Sequence, residues 1–237
     1  MATLRAPPRP DRSWALFLDI DGTLLDIAPS PGAVVVPADL PETLLAASQF
    51  LSGALAFISG RTLQDVDRLM APLRLSCAAE HGALLRFPDG SIRSHGLDHA
   101  VPAFLRDRMR AEIRKWPGAI LEEKRFNVVF HFRQSPEFGT AIGTFAEAIA
   151  REAGPAFEVL PARMAFEIRH RDVNKGAALH AFMDKAPFAT RVPVFIGDDV
   201  TDNDGFVAAR ELGGRALEMR DMFGDPAPLR CWLRSFA

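Results

Sequence analysis

The chain has 237 residues, 48% of them hydrophobic and 24% charged, with a formal net charge of −2. That length gives one large domain or two small ones enough apolar material for a core. The near-neutral charge leaves no electrostatic footprint for nucleic acid or an anionic membrane, and no apolar run approaches the roughly 18 residues that span a bilayer. The start, Met1 to Asp11, is rich in Pro and Arg and lacks the apolar stretch of a secretory signal, so residues 1–13 read as a disordered tail. Cys77 and Cys231 match no metal or redox spacing and read as reduced thiols of a cytoplasmic protein.

The first element is the apolar run Trp14 to Leu18, a buried strand that Gly22 punctuates soon after its end. After a Pro-rich loop, a helix is expected from Pro41 to Leu51, with Gly53 just past it. Ala54 to Ile58 reads as a second buried strand ending in Ser59-Gly60-Arg61. Thr62 with Asp65 then resembles a capping box for a helix to about Met70. Leu75 to Ala79 is a third strand leading into Glu80-His81-Gly82, and a hairpin is expected around Asp89-Gly90. Strands alternating with helices argue for a parallel α/β sheet.

Near Leu97 the pattern changes. Val101, Phe104, Leu105, Met109, Ile113 and Trp116 share one helical face, as do Phe138, Ile142, Phe145 and Ile149. Phe126, Val128, Phe130 and Phe132 alternate with Asn127, His131 and Arg133 as in a half-buried strand, and Phe157 to Leu160 and Met164 to Ile168 supply further strands. Residues 97–169 therefore form an α+β unit inserted into a core made of 14–96 and 170–237. The α/β pattern resumes with a helix from Lys175, the strand Val192 to Ile196, the acidic loop Gly197 to Asp202, a helix carrying Phe206, Val207 and Leu212, and a last strand near Ala216 to Met219.

Four pieces fall at strand ends or helix starts: Asp19-x-Asp21, Ser59-Gly60-Arg61, Lys175-Gly176, and Gly197-Asp198-Asp199 with Asp202. Their chemistry is complementary. Asp19, Asp21 and Asp198 can form an all-oxygen site that suits Mg²⁺. Ser59 and the backbone N–H groups after it can meet an anion at a helix start, and Lys175 brings a point positive charge. Phosphoryl transfer needs this combination of positioning and charge neutralisation. Singly, each piece is an ordinary turn or helix cap.

The run Asp19-Ile20-Asp21-Gly22-Thr23-Leu24, with Ser59, Lys175 and Gly197-Asp198-Asp199, resembles the haloacid dehalogenase-type phosphatase superfamily. Ser59-Gly60-Arg61, His81-Gly82, Glu122-x-Lys124 and Gly197-Asp198-Asp199-x-Thr201-Asp202 narrow the resemblance to the trehalose-6-phosphate phosphatase family in its short bacterial form, over roughly Ala15 to Leu217. The resemblance implies a Rossmann-like core with a parallel sheet and an inserted α+β cap domain. It also implies a phosphatase of trehalose biosynthesis that acts through a phosphoaspartate. Asp19 would be the nucleophile, Asp21 the acid and base, and Ser59 and Lys175 the holders of the phosphoryl group. Mg²⁺ would be bound by Asp19, the Asp21 carbonyl and Asp198, with Asp199 or Asp202 steadying its waters. Ser59, Gly60, Arg61, Glu122, Lys124, Arg133 and Glu167 would bind substrate. Strand parity places Lys124 and Arg133 on opposite faces of one regular strand, so a turn or bulge is required near Lys124 to Phe126. Where the family carries Glu after Thr-Asp, this chain has Asn203.

The rival chemistries are hydrolysis of sucrose 6-phosphate, glucosyl-phosphoglycerate or another hexose phosphate, transfer of phosphate within a sugar, and sugar-phosphate sensing without turnover. Asp19, Asp21 and Lys175 all remain, which a silent sensor would not need. The expected partner is a small sugar phosphate, with neither nucleic acid nor membrane; the sequence leaves monomer and dimer open.

Overall fold

The computed structural model describes residues 4–28, 33–94, 100–162 and 164–236. By its internal contacts the chain divides into two compact units, Met1–Arg93 with Asn174–Ala237, and Ser94–Val173. The boundary expected near Leu97 lies outside the described residues.

The first unit opens with β1 (Trp14–Leu18), buried at all five positions, as a strand covered on both faces requires. Helix α1 (Leu40–Phe50) buries Leu40, Leu44, Ala47 and Ser48, the stripe of an amphipathic helix, and carries its Pro in the first turn. Strand β2 (Leu55–Ile58) leads to α2 (Leu63–Leu69), whose Thr62 hydroxyl accepts the Asp65 N–H at 3.2 Å as the capping pattern foretold. Then follow β3 (Ser76–Ala79), β4 (Leu84–Arg86) and β5 (Ile92–Ser94), the last two flanking the turn at Asp89-Gly90.

The second unit begins with α3 (Ala103–Glu112) and the hairpin β6 (Ile120–Glu123) and β7 (Val128–His131). Helix α4 (Gly139–Ala153) and a second hairpin, β8 (Phe157–Ala162) and β9 (Ala165–His170), complete it. Its four-stranded antiparallel sheet has the order β6-β7-β9-β8. Val128, Phe130 and Ile168 on one face pack with Leu105, Met109, Ile142 and Ile149 of the helices. Phe104 departs from expectation: it is 61% exposed, because its neighbours Leu105 and Met109 define the buried stripe, about 100° round the helix from it. Strand β9 runs on to His170, and Val173 N–H bonds the His170 carbonyl, so 170–173 belong with this unit rather than with the core.

The chain then supplies α5 (Lys175–Met183), β10 (Val192–Gly197), α6 (Asn203–Glu211) and β11 (Arg215–Glu218) to the first unit. Two further helices, α7 (Met219–Met222) and α8 (Pro226–Leu233), follow. The seven-stranded sheet has the order β11-β10-β1-β2-β3-β4-β5; the pairs from β11 to β3 are parallel, and β4 runs antiparallel to β3. The chain winds outward from β1 on one side, through β2 and β3. After the second unit it returns on the other, through β10 and β11. The carboxyl ends of β1 and β10 thus form a topological switch point, where such sheets bind ligands. In the stretch read as a tail, Arg5 N–H donates to the Asp221 carbonyl, and Pro8 accepts the Trp232 indole N–H. Among the described residues no helix is long and apolar enough to cross a membrane.

Candidate active site

Strands β1 and β10 pair in the register Leu18↔Ile196, so the residues after each leave the sheet side by side. Asp19 N–H still donates to the Ile196 carbonyl at 3.0 Å, which fixes the backbone of Asp19 beside the Gly197-Asp198 corner. Gly22, with φ +83°, turns the chain there. A Cβ on it would lie 2.2 Å from Asp198 Oδ2, so both the left-handed conformation and the close approach demand glycine. Thr23 Oγ1 donates to Asp198 Oδ1 at 3.0 Å and ties the two loops together.

Lys175 arrives as the first residue of α5, whose start is fixed by Asn174: its side chain accepts the Ala177 N–H at 2.8 Å. The Lys175 ammonium is buried, donating to Asp19 Oδ1 at 2.7 Å and to Asp202 Oδ1 at 2.5 Å. The other Asp202 oxygen accepts the N–H groups of Asp198 and Asp199, each at 2.9 Å. Asp202 is therefore the brace of the acidic loop. Asp199 accepts the Val200 N–H and caps the turn reciprocally with Asp202. Asn203, at the exposed start of α6, stands outside that capping arrangement.

Carboxylate oxygens of Asp19, Asp198 and Asp202 lie within 4.8 Å of one another. Three acids thus face one ammonium, and the electrostatics register the excess. Burial, reinforced by Asp202 and Asp198, pushes Asp19 up to about 8 from an ordinary 3.8 in spite of Lys175. Burial and Asp202 push Asp198 up to about 6. For Lys175, burial opposes the charge, but Asp19 and Asp202 prevail and hold its pKa above the usual 10.5. An all-oxygen donor set with surplus negative charge fits a hard divalent cation. Asp202 joins Asp19 and Asp198 in this group, and its spacing from Asp198, one helical turn on, is the sequence signal for that place.

Ser59 leaves β2 beside β1 and is 1% exposed. Its N–H donates to the Ala78 carbonyl at 2.9 Å, and its hydroxyl accepts the Arg61 N–H at 3.2 Å. Gly60 lies against the His81 ring, which a Cβ would meet at 2.5 Å. Glu80 and His81 are left-handed, at φ 48° and 59°, and their N–H groups bond the Arg61 and Ser59 carbonyls. The Arg61 guanidinium reaches the Asp21 carboxylate, Nε to Oδ2 and Nη2 to Oδ1, both at 2.6 Å. Asp19, Lys175, Asp198 and Asp202 are thus brought together, while the Asp21 side chain is engaged by Arg61.

The four residues that the resemblance assigns to sugar binding lie in the second unit. Glu122↔Val129 and Val129↔Glu167 are cross-strand pairs, so Glu122 and Glu167 share the sheet face opposite the helices. Glu122 bonds His131 Nε2 at 2.8 Å, and that bond holds its carboxyl below the usual range. Lys124 Nζ is 3.9 Å from Glu122. Glu167 is buried and accepts from the Asn127 amide. The required turn is present: β6 ends at Glu123, and Lys124 N–H bonds the Asn127 carbonyl. Arg106 holds that turn by donating to the carbonyls of Val101, Lys124 and Arg125, a role no sequence pattern signalled. Arg133 lies beyond the end of β7 and is exposed.

A Rossmann-like sheet with paired aspartates after its central strand and a buried lysine opposite them defines a haloacid dehalogenase-like phosphohydrolase. Solved structures share the fold. The C-terminal domain of Candida albicans trehalose-6-phosphate phosphatase superimposes with a TM-score of 0.77 at 20% identity, covering 99% of this chain and 98% of that one. The sucrose-phosphatase of Synechocystis gives 0.58 at 17% identity, covering 94% and 88%. The trehalose-phosphatase family model matches residues 17–222, and the chain belongs to that family. It is 39% identical over 220 residues to a probable trehalose-phosphate phosphatase of Sinorhizobium fredii, covering 91% of this chain and 80% of the relative. It is 37% identical over 216 residues to the trehalose-6-phosphate phosphatase of Escherichia coli, covering 91% and 81%.

Proposed function

We propose that this chain hydrolyses trehalose 6-phosphate to trehalose and inorganic phosphate through a phosphoaspartate on Asp19. The observation that carries this is the 2.7 Å pairing of Asp19 with Lys175 inside a group of acids suited to a cation. Asp19 attacks phosphorus in line with the sugar oxygen; the new O–P bond forms as the sugar O–P bond breaks. Asp21 gives its proton to the departing alkoxide and later takes one from the water that hydrolyses the acyl phosphate. Asp19 is then released as a carboxylate. Lys175 and Ser59 hold the phosphoryl oxygens, and Lys175 also keeps Asp19 aimed.

Asp19, the Asp21 backbone carbonyl and Asp198 would hold Mg²⁺, with Asp202 and Thr23 bracing Asp198. The ion would supply charge neutralisation at the phosphoryl group. In the second unit Glu122, Lys124, Arg133 and Glu167 are the residues we assign to the sugar hydroxyls, where carboxylate acceptors and cationic donors set specificity. We place the protein in the cytoplasm, where its free thiols Cys77 and Cys231 would stay reduced.

Phosphate release from a panel of trehalose, sucrose and hexose phosphates, with and without Mg²⁺, is the test. Trehalose 6-phosphate should give the highest kcat/KM, and chelation should abolish release. Faster turnover of sucrose 6-phosphate would overturn the substrate assignment, and undiminished turnover after chelation would overturn the cation.

A further inference from the structure

Of the two acids that follow β1, only Asp19 joins the carboxylates around Lys175; Asp21 is engaged elsewhere. Both oxygens of its carboxylate accept from Arg61, in the two-bond fork that fixes a carboxylate in position and in plane at once. The Asp21 side chain is 39% exposed, and among the described residues its carboxylate has no other hydrogen-bond partner. The Arg61 side chain, in contrast, is 9% exposed. Its backbone is pinned at both ends: its N–H donates to Ser59 Oγ at 3.2 Å, and its carbonyl accepts the Glu80 N–H at 2.9 Å. The Glu80-His81 pair that supplies this brace is held in left-handed backbone, a strain that persists only where the surroundings over-determine it.

We propose that Arg61 is a positioning residue: it aims the Asp21 carboxyl at the oxygen of the departing sugar rather than gripping the phosphoryl group. This rests on the assignment of Asp21 as proton carrier made above. Before transfer Asp21 is protonated, held by the guanidinium through one oxygen while its O–H faces the sugar oxygen. The proton ends on the sugar hydroxyl, and the carboxylate returns to both N–H groups. Arg61 itself gives up no proton.

The leaving group separates this role from phosphate binding. A sugar alkoxide needs its proton as it departs, whereas p-nitrophenolate, the anion of a far stronger acid, departs without one. kcat/KM covers binding and the steps through phosphoryl transfer, free of the later hydrolysis. Arg61→Ala is expected to lower kcat/KM for trehalose 6-phosphate by about a hundredfold or more, while kcat/KM for p-nitrophenyl phosphate falls less than about threefold. Arg61→Lys, which keeps the charge but not the fork, should recover only part of the loss. Thermal melts of both variants, and Asp21→Asn assayed beside them, complete the set. Equal losses on both substrates, or a gain in turnover, would overturn the positioning role. If Asp21→Asn shows the selective loss and Arg61→Ala does not, Arg61 alone is misassigned. If Asp21→Asn shows no selectivity, the acid assignment falls, and the role of Arg61 with it.

Discussion

Lys175 is the side chain on which the proposed chemistry depends most, because a buried ammonium between two carboxylates cannot be removed quietly. Breaking such a pair leaves uncompensated buried charge and costs about 3–5 kcal/mol. Lys175→Met should therefore lose activity and, in chelator at pH 9, unfold at lower denaturant with an unchanged m-value; undiminished stability would show that the acids are neutral without it. Gly22→Ala is a sharper geometric probe. Its Cβ would strike Asp198, so phosphate release should fall at least about tenfold even if the backbone adapts; wild-type turnover would mean that Asp198 is free to move. Asp19, Lys175 and Asp198 were legible in the sequence because each sits at a strand end or helix start, where local pattern fixes position. The Arg61–Asp21 pairing was not: 40 residues separate the partners, and only the β1–β2 adjacency unites them.

Helices and strands were most legible where a single period ruled. The β1 run and the capped start of α2 read correctly because burial or a cap imposed them, whereas the expected alternation fails in β7, where Val129 is buried beside Val128 and Phe130. The C-terminal pair α7 and α8 was missed, although Leu229, Leu233 and Phe236 are buried and the Trp232 ring lies tilted 6.4 Å from Trp14. Their periodicity is confined to one short helix, and what it packs against lies some 200 residues earlier in sequence. The β6–β7 connection shows the converse, since strand parity alone demanded a turn there. Arg106 now explains how that turn is held, through three carbonyl bonds. Arg106→Ala should destabilise the protein by roughly 2 kcal/mol and raise KM for the sugar phosphate more than it lowers kcat. Urea titration and steady-state kinetics check both parts, and an unchanged KM would detach this turn from substrate binding.

At the scale of the whole chain, the acid cluster draws Asp19 from before the second unit and Lys175, Asp198 and Asp202 from after it. A cation held by these acids would thereby be linked to global stability and to pH. Asp19 and Asp198 hold protons in the folded state up to about 8 and about 6, against an ordinary 3.8 unfolded. The folded protein therefore binds more protons than the unfolded chain between roughly pH 4 and 8, and stability in chelator should fall as pH rises through that window. Mg²⁺ bound by these acids would displace those protons, so its gain in Tm should be larger at pH 8 than at pH 5.5; melts with EDTA or Mg²⁺ at the two pH values would reveal the opposite order if the acids were not its ligands. The decisive measurement is phosphate release from trehalose 6-phosphate by Asp19→Asn, with folding verified by its melt. A loss of at least about a thousandfold is predicted, as for removal of a covalent nucleophile. Activity within tenfold of the wild type would contradict the phosphoaspartate.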